Sequence, residues 1–517
     1  MTHGIHNRRQ LLRIGGAMSM LGAASPFAAQ LLAAGNAASQ SAPDYKALVC
    51  IFLFGGNDSN NAVLATDPDS WGRYFAARNT GGDPIALMPV GTPPTPVGAT
   101  NALTGRVARA NTPEAWGGVL PIVPRTPNPI PAGTNASVRT FGLHPMLAPL
   151  KTLFDADRLA VVANVGTLVR PITKAQYQGR TVAYPANLFS HNDQQSTWQA
   201  GQGEGARVGW GGRYGDLLSS LNGNGSLFTA ISTAGNAVFL SGQNVVQYQM
   251  TTSAQPAVVI TGQSGSSLFG STVAPGRVRE IVRDTSSASL FATDYATTTD
   301  RSIGAATSLN SVFASSTVTS VPNATAYVNP ITRATETNSL AVQLQTVARM
   351  IAAGPTLGTK RQVFFVSLGG WDTHDFQNTT QANNLAKVAH AMAYFDGVLG
   401  NLGGVNMRQA VTTFTASDFS RTFTTNGDGT DHAWGGHHFV MGGAVRGGDI
   451  YGQFPTVGTD LGTFRNPDMA GSAFVPTTSV DQYGATMGRW MGVSEFNLDT
   501  IFPNLSGFAA RGLGFLG

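Results

Sequence analysis

A single cysteine, Cys50, stands in a chain of 517 residues, so no intramolecular disulfide can form and a disulfide-stapled scaffold is excluded. Charge is scarce too. Lys, Arg, Asp and Glu together make up 12% of the chain, about half the usual share. Five of the cationic residues are lysines, and no Lys/Arg cluster occurs beyond residue 13. A surface that tracks nucleic-acid phosphates is therefore not expected. Beyond the N-terminal region no stretch approaches the ~18 uninterrupted apolar residues of a membrane span. What is abundant is glycine, 62 residues, beside a 42% hydrophobic content. Such a chain has the apolar material for a large core and is not the composition of disorder.

The net charge of +4 is concentrated at one end. Residues 7–14 read NRRQLLRI, and a weakly apolar Gly/Ala-rich run follows, broken by Pro26, with small residues near 33–42. A basic segment, an apolar run and small residues in that order form a secretory signal, and Arg8–Arg9 ahead of Leu11–Leu12 resembles the twin-arginine export signal. The expectation is a signal over 1–41, cleavage near 38–42, and a nearly neutral mature protein in the periplasm or outside the cell. Cys50, inside the run LVCIFLF, reads as a buried inert thiol.

The mature region repeats a pattern of apolar strand, polar loop and helix, which is the rhythm of a mostly parallel α/β sheet covered on both faces. Strands are expected at 46–54, 158–165, 361–368 and 409–415, and helices near 145–154, 188–200, 210–221, 331–354 and 381–400, with a last one in DQYGATMGRWMGV. Residues 80–140 read as turns. The Ser/Thr/Gly-rich stretch 222–330 reads as an insertion of short strands and flexible chain. One domain over 42–517 accounts for the pattern.

In such a sheet, ligands bind beyond the carboxyl ends of the strands. The loop after the first strand carries Asp58. GGWDTHDFQ carries Asp372, His374 and Asp375, and the long segment after 409–415 carries Asp418, Asp428, Asp431, His432, His437 and His438. Carboxylates mixed with imidazoles suit Zn2+, Mn2+ or iron, and a carboxylate-only subset would take Mg2+ or Ca2+. One or two such ions could activate a nucleophile and stabilise phosphoryl or sulfuryl oxygens. The competing reading is ordinary loop caps, which for Asp58 is an Asx turn and for Ser190 a helix N-cap. Trp371 reads as core. GQSGS at 262–266 fails as a serine-hydrolase elbow, because Ser266 stands where the last glycine belongs.

These motifs, in order, resemble a bacterial family of exported proteins, domain of unknown function 1501, placed with the alkaline phosphatase and sulfatase superfamily. The matching stretches include NRRQLL, ALVCIFLFGGNDSNN, FSHNDQQSTW, FFVSLGGWDTHDFQ and the segment from TTFTASDFSRTF to GGDIYG. The resemblance implies a three-layer sandwich with a mostly parallel central sheet and a dinuclear metal site at the strand ends. It implies Asp58 as the first-strand metal carboxylate, Asp372 with His374 as a second pair, Asp418 and His432 as late ligands, and Asp431 as a ligand or a partner of His432. Ser190 falls where the superfamily places its nucleophile. Two departures stand out. Phe419 follows Asp418 where the phosphatases have a histidine, so His438 or His437 would supply that imidazole, and SHNDQ lacks the Pro and Arg of the sulfatase motif.

The functional expectation is an exported metal-dependent hydrolase acting on a small-molecule or glycan phosphate or sulfate ester. Ser190 would attack, and His191 or Arg421 would contact the substrate oxyanion. The alternative is a non-catalytic surface or periplasmic binding protein with a structural ion.

Overall fold

The computed structural model describes residues 45–517, apart from 132–133, 136, 258–266 and 461–462. The expected signal over 1–41 and the rejected elbow at 262–266 lie outside the described residues.

Nine strands form the main sheet: β1 (Lys46–Leu53), β2 (Leu159–Gly166), β3 (Ala230–Ser232), β4 (Tyr248–Gln249), β5 (Arg361–Leu368), β6 (Val411–Ser417), β7 (Gly436–Met441), β8 (Asp449–Tyr451) and β9 (Thr478–Ser479). Their spatial order is β8-β2-β7-β6-β1-β5-β3-β4, with β9 beside β2. Strand β1 pairs in parallel with β5 on one side and β6 on the other. All pairings are parallel except those of β7, which runs against both β6 and β2.

The apolar run of β1 shows why the sheet is covered on both faces. Ala47, Val49, Ile51 and Leu53 enter one hydrophobic core, and Leu48, Cys50 and Phe52 enter another on the opposite face. The helices that bear on the site and its supports are α1 (Pro68–Arg78), α2 (Ala148–Asp155), α3 (His191–Ala200), α4 (Trp210–Leu218), α5 (Ala274–Val282), α6 (Leu290–Phe313), α7 (Ser339–Leu357), α8 (Gln377–Leu399) and α9 (Val480–Met491). The first core takes Leu150 and Phe154 from α2, Leu344 and Val347 from α7 and Leu385 and Val388 from α8. The second takes Trp198 from α3, Trp210 and Tyr214 from α4 and Tyr483 and Met487 from α9. The result is helix, sheet and helix in three layers. Among the described residues no helix is long and apolar enough to cross a membrane.

Two expectations change. The 222–330 stretch is largely helical in its second half, as α5 and α6, and not short strands with flexible chain. Its Ala and Thr content hides a helix with few apolar positions to mark a period. Residues 436–441, GHHFVM, are a reversed strand within the sheet, where the sequence offered a ligand loop.

The reversal positions the site. Strands β1, β5 and β6 end at one edge of the sheet, and β7 begins there, so the segment between β6 and β7 leaves and returns at that same edge. An antiparallel bridge between Arg421 and His432 closes it. Tight backbone approaches hold the loops together. Gly55 sits at φ +117°, and a Cβ there would come within 2.4 Å of the Asp372 backbone nitrogen. A Cβ at Gly429 would come within 2.1 Å of the His374 carbonyl oxygen. Only glycine fits either place.

Candidate metal centre

Asp372 and His374 lie on the loop after β5, His432 precedes β7, and His191 opens α3. The Oδ1 atom of Asp372 lies 3.1 Å from His374 Nε2 and 3.2 Å from His432 Nε2. The two Nε2 atoms are 3.0 Å apart. On the other side of the carboxylate, His191 Nε2 stands 3.5 Å from Asp372 Oδ2. One ligand atom from each of His191, Asp372 and His432 falls within 4.8 Å of the others.

Each imidazole is fixed through its outer nitrogen. His432 Nδ1 is 2.7 Å from the Phe189 carbonyl oxygen, His191 Nδ1 is 2.7 Å from Asp418 Oδ2, and His374 Nδ1 is 3.1 Å from Asp431 Oδ1. A carbonyl or an ionised carboxylate only accepts, so these partners assign the proton to Nδ1 and turn the Nε2 lone pair inward. Histidine ligands of metals are oriented in this way.

The anchors themselves are held in place. Phe189 sits at φ +74°, a left-handed conformation that is costly for an aromatic residue, and its carbonyl meets His432. His191 and Gln195, one turn apart on α3, both reach Asp418 Oδ2, Gln195 at 2.8 Å. Asp418 Oδ1 takes the Gly55 N–H at 3.2 Å.

Electrostatics favours an ionised Asp372 beside a neutral His432. Burial opposes the Asp372 charge, but the Arg421 hydrogen bond and positive charge outweigh it and hold the carboxyl below its usual range. Burial lowers His432 against its Phe189 bond, with His191 and Arg421 adding to the shift. His191 is raised by its bond to Asp418, which exceeds the cost of burial.

This donor set fits a metal ion. Ligands about 2.1 Å from a tetrahedral ion lie ~3.4 Å apart, close to the 3.0–3.2 Å separations of Asp372, His374 and His432. His191 Nε2 has no hydrogen-bond partner among the described residues. Imidazole-rich sites suit Zn2+ or Mn2+ better than Mg2+ or Ca2+.

The remaining sequence candidates fall elsewhere. Asp58 is fully buried against Arg78, which meets Oδ2 through Nη1 at 2.5 Å and Oδ1 through Nη2 at 3.0 Å. The Asn60 N–H and Gln377 Nε2 also donate to it. A carboxylate has about four acceptor sites, so Asp58 is a structural anion and not a ligand. His438 points from β7 into the core, 4.8 Å from the Trp198 ring, where burial lowers its pKa to about 3. His437 is buried as well, stacked on Phe454 at 4.3 Å. Strand alternation sends these two neighbours into cores instead of the cleft.

Asp418 orients His191 from outside, where a direct metal role was expected, and Asp431 orients His374, where a ligand or a partner of His432 was expected. Arg421 is in the cluster but turned to internal partners. Its side chain is fully buried, with Nη1 on Asp372 at 2.6 Å and on the Gly55 carbonyl, and the rest of the guanidinium on Thr430. Ser190 caps α3, and its hydroxyl bonds Asp193. Trp371 is core. Asp428 accepts the Phe376 N–H.

Sequence reasoning missed the Arg78 partner of Asp58, the Phe189 carbonyl and Gln195. For Gln195 the four-residue spacing from His191 was the available signal. A large cavity, about 870 Å³, lies away from the histidines between the Ser219–Phe228 segment and α6. The cluster is partly exposed, and its chemistry is what marks it.

No curated protein matches the chain. A family model described as a protein of unknown function, DUF1501, matches residues 45–502, and with its strand-end loops and histidine cluster inside that range the chain belongs to this family.

Proposed function

We propose that this protein is an exported, metal-dependent hydrolase of alkaline phosphatase and sulfatase type, acting on a phosphate or sulfate ester. The observation that carries the reading is the convergence of imidazole Nε2 atoms on Asp372, each ring locked through Nδ1. Asp372, His374 and His432 hold one divalent ion, with Zn2+ or Mn2+ preferred. When bound, such an ion supplies Lewis acidity and a water activated near neutral pH. His191, oriented by Asp418, accepts a proton at Nε2, the pairing of base and orienting acid seen in general-base catalysis. Arg421 and Gly55 fix Asp372 and Asp418. The nucleophile is water, because the Ser190 hydroxyl belongs to the α3 cap. Residues 1–41 direct the chain to the periplasm or beyond.

One observation favours the second reading, a non-catalytic binding protein with a structural ion. Ser190 and Arg421, the residues a serine-based ester hydrolase would use, are both engaged internally.

The test is elemental analysis of protein purified without chelator, joined to hydrolysis of p-nitrophenyl phosphate and p-nitrophenyl sulfate. About one ion per chain, and chelator-sensitive turnover that survives Ser190→Ala but not His191→Ala, supports the hydrolase. A full complement of metal with no turnover of either ester supports the binding protein. Absence of metal sinks both.

A further inference from the structure

Helix α3 has a polar site at each end. Its first residue, His191, belongs to the histidine cluster. Its last turn, Thr197 to Gly201, lines a second cavity of about 130 Å³. A ten-residue helix is about 15 Å long, so the two sites are separate. The second cavity is enclosed by Thr167, Thr197, Gly201, Asp481 and Asn504 among others, and Asp481 is its one charged lining residue among the described residues.

Asp481 lies in the first turn of α9 and is 6% exposed. Asn504 approaches its carboxylate through backbone and side-chain amides, yet Oδ2 has no hydrogen-bond partner among the described residues. No salt bridge to a Lys, Arg or His is made by this carboxylate among those residues either. A buried, unpaired carboxylate is costly to ionise, and burial pushes this one up to about 7. A neighbouring cavity of about 90 Å³ shares Asp481, Gly201 and Asn504. It contains Arg213, but that guanidinium donates to the Thr500 and Ile501 carbonyls.

We propose that the Asp481 cavity is a binding site for a hard, oxygen-ligated cation of the Ca2+ class. Two features select that chemistry. The cavity is lined by the Asp481 carboxylate, the Thr167 and Thr197 hydroxyls and the Asn504 amide, with no imidazole or thiol among the described lining residues, which leaves the preferences of Zn2+ unmet. The volume exceeds the ~10–15 Å³ that one water needs, so an ion can enter with part of its hydration.

The experiment uses the full chain after chelator treatment. Terbium, a hard trivalent probe, is titrated while tryptophan is excited, since Trp210 lines the neighbouring cavity. The expected result is saturable terbium emission, displaced by Ca2+, lost in Asp481→Asn and kept in His432→Ala. Emission that disappears in His432→Ala but survives in Asp481→Asn places the ion in the histidine cluster and overturns the proposal. Absence of saturable emission in the wild-type chain overturns it as well. Asp481 contributes its backbone N–H to the Ser479 cap, so the Asn variant keeps the helix start. Should that variant fail to fold, Ca2+ must still raise the melting temperature of the wild-type chain, and no rise at millimolar Ca2+ counts against the site.

Discussion

His374 and His432 face each other Nε2 to Nε2 at 3.0 Å, each with its Nδ1 proton committed to an oxygen on the far side of the ring. Two lone pairs at that distance repel unless a proton or a cation lies between them. Burial lowers the pKa of His432, which disfavours the proton. Replacing either ring should therefore abolish metal retention without unfolding the chain. In His374→Ala and His432→Ala, metal measured by plasma emission should fall from about one ion per chain to near zero, with circular dichroism unchanged. Full retention in either variant would remove that ring from the ligand set.

Asp418 stands behind His191, on the side away from Asp372, and fixes the tautomer and tilt of that ring. Losing such an orienting partner typically weakens metal affinity or activity by ~10–100-fold. Asp418→Asn should show that loss in turnover, with the ion count at saturation unchanged.

The Asp58–Arg78 pair is fully buried and ties the loop after β1 to α1 and to the Thr422 and Phe423 carbonyls. Arg78→Met leaves Asp58 charged and unpaired, at a cost of roughly 3–5 kcal/mol. Urea unfolding should register it, and Asp58→Asn together with Arg78→Met should recover a large part. If the single variant unfolds like wild type, the pair is not the clamp described.

Gly55→Ala places a methyl group against the Asp372 backbone at a positive φ. The strain is of order 1–3 kcal/mol, and relief requires moving the Asp372 loop. Metal affinity should fall together with stability. A stable Ala variant with normal metal affinity would contradict the tight approach.

Acid should destabilise the fold through buried neutral histidines. Burial lowers His144, His437 and His438 to about 3 in the folded state, against ~6.5 unfolded. Their contribution is present above pH ~6.5 and is lost as pH falls toward 3, because the unfolded chain binds more protons. Asp481, raised to about 7, acts in the opposite direction over pH ~4–7. The net uptake of about two protons gives a slope near 3 kcal/mol per pH unit between pH ~6 and ~4. Denaturant titrations across that window measure it, and a flat profile would mean that these rings protonate without unfolding.

Much of the sheet was legible because its strands are apolar runs buried on both faces. KALVCIFLF and RQVFFVSL needed no periodicity to be read as central strands, and they appear as β1 and β5. The loops that follow β5 and β6 do bring Asp372, His374 and His432 together, as strand-end loops of a parallel sheet should. Side-chain direction was not legible. HHFVM carries two histidines whose alternation in a strand sends both into cores, and no spacing rule announces that β7 is reversed. Asp58 looked like a ligand because its partner, Arg78, comes from the far end of a helix. The α6 helix escaped notice because Ala, Thr and Ser mark no apolar face over most of its length.

The reversed β7 also bears on how the site assembles. Asp418 and His432 belong to one short excursion of the chain, so bringing them together costs little loop-closure entropy, which grows only slowly with length. His191 and the Asp372–His374 pair arrive from segments far removed in sequence. The β6–β7 excursion is thus a local unit, and the site is completed where α3 and the β5 loop meet it. Changes in the length of the 424–430 tip would then alter the angle at which Asp431 meets His374, while leaving the Asp418–His191 contact in place.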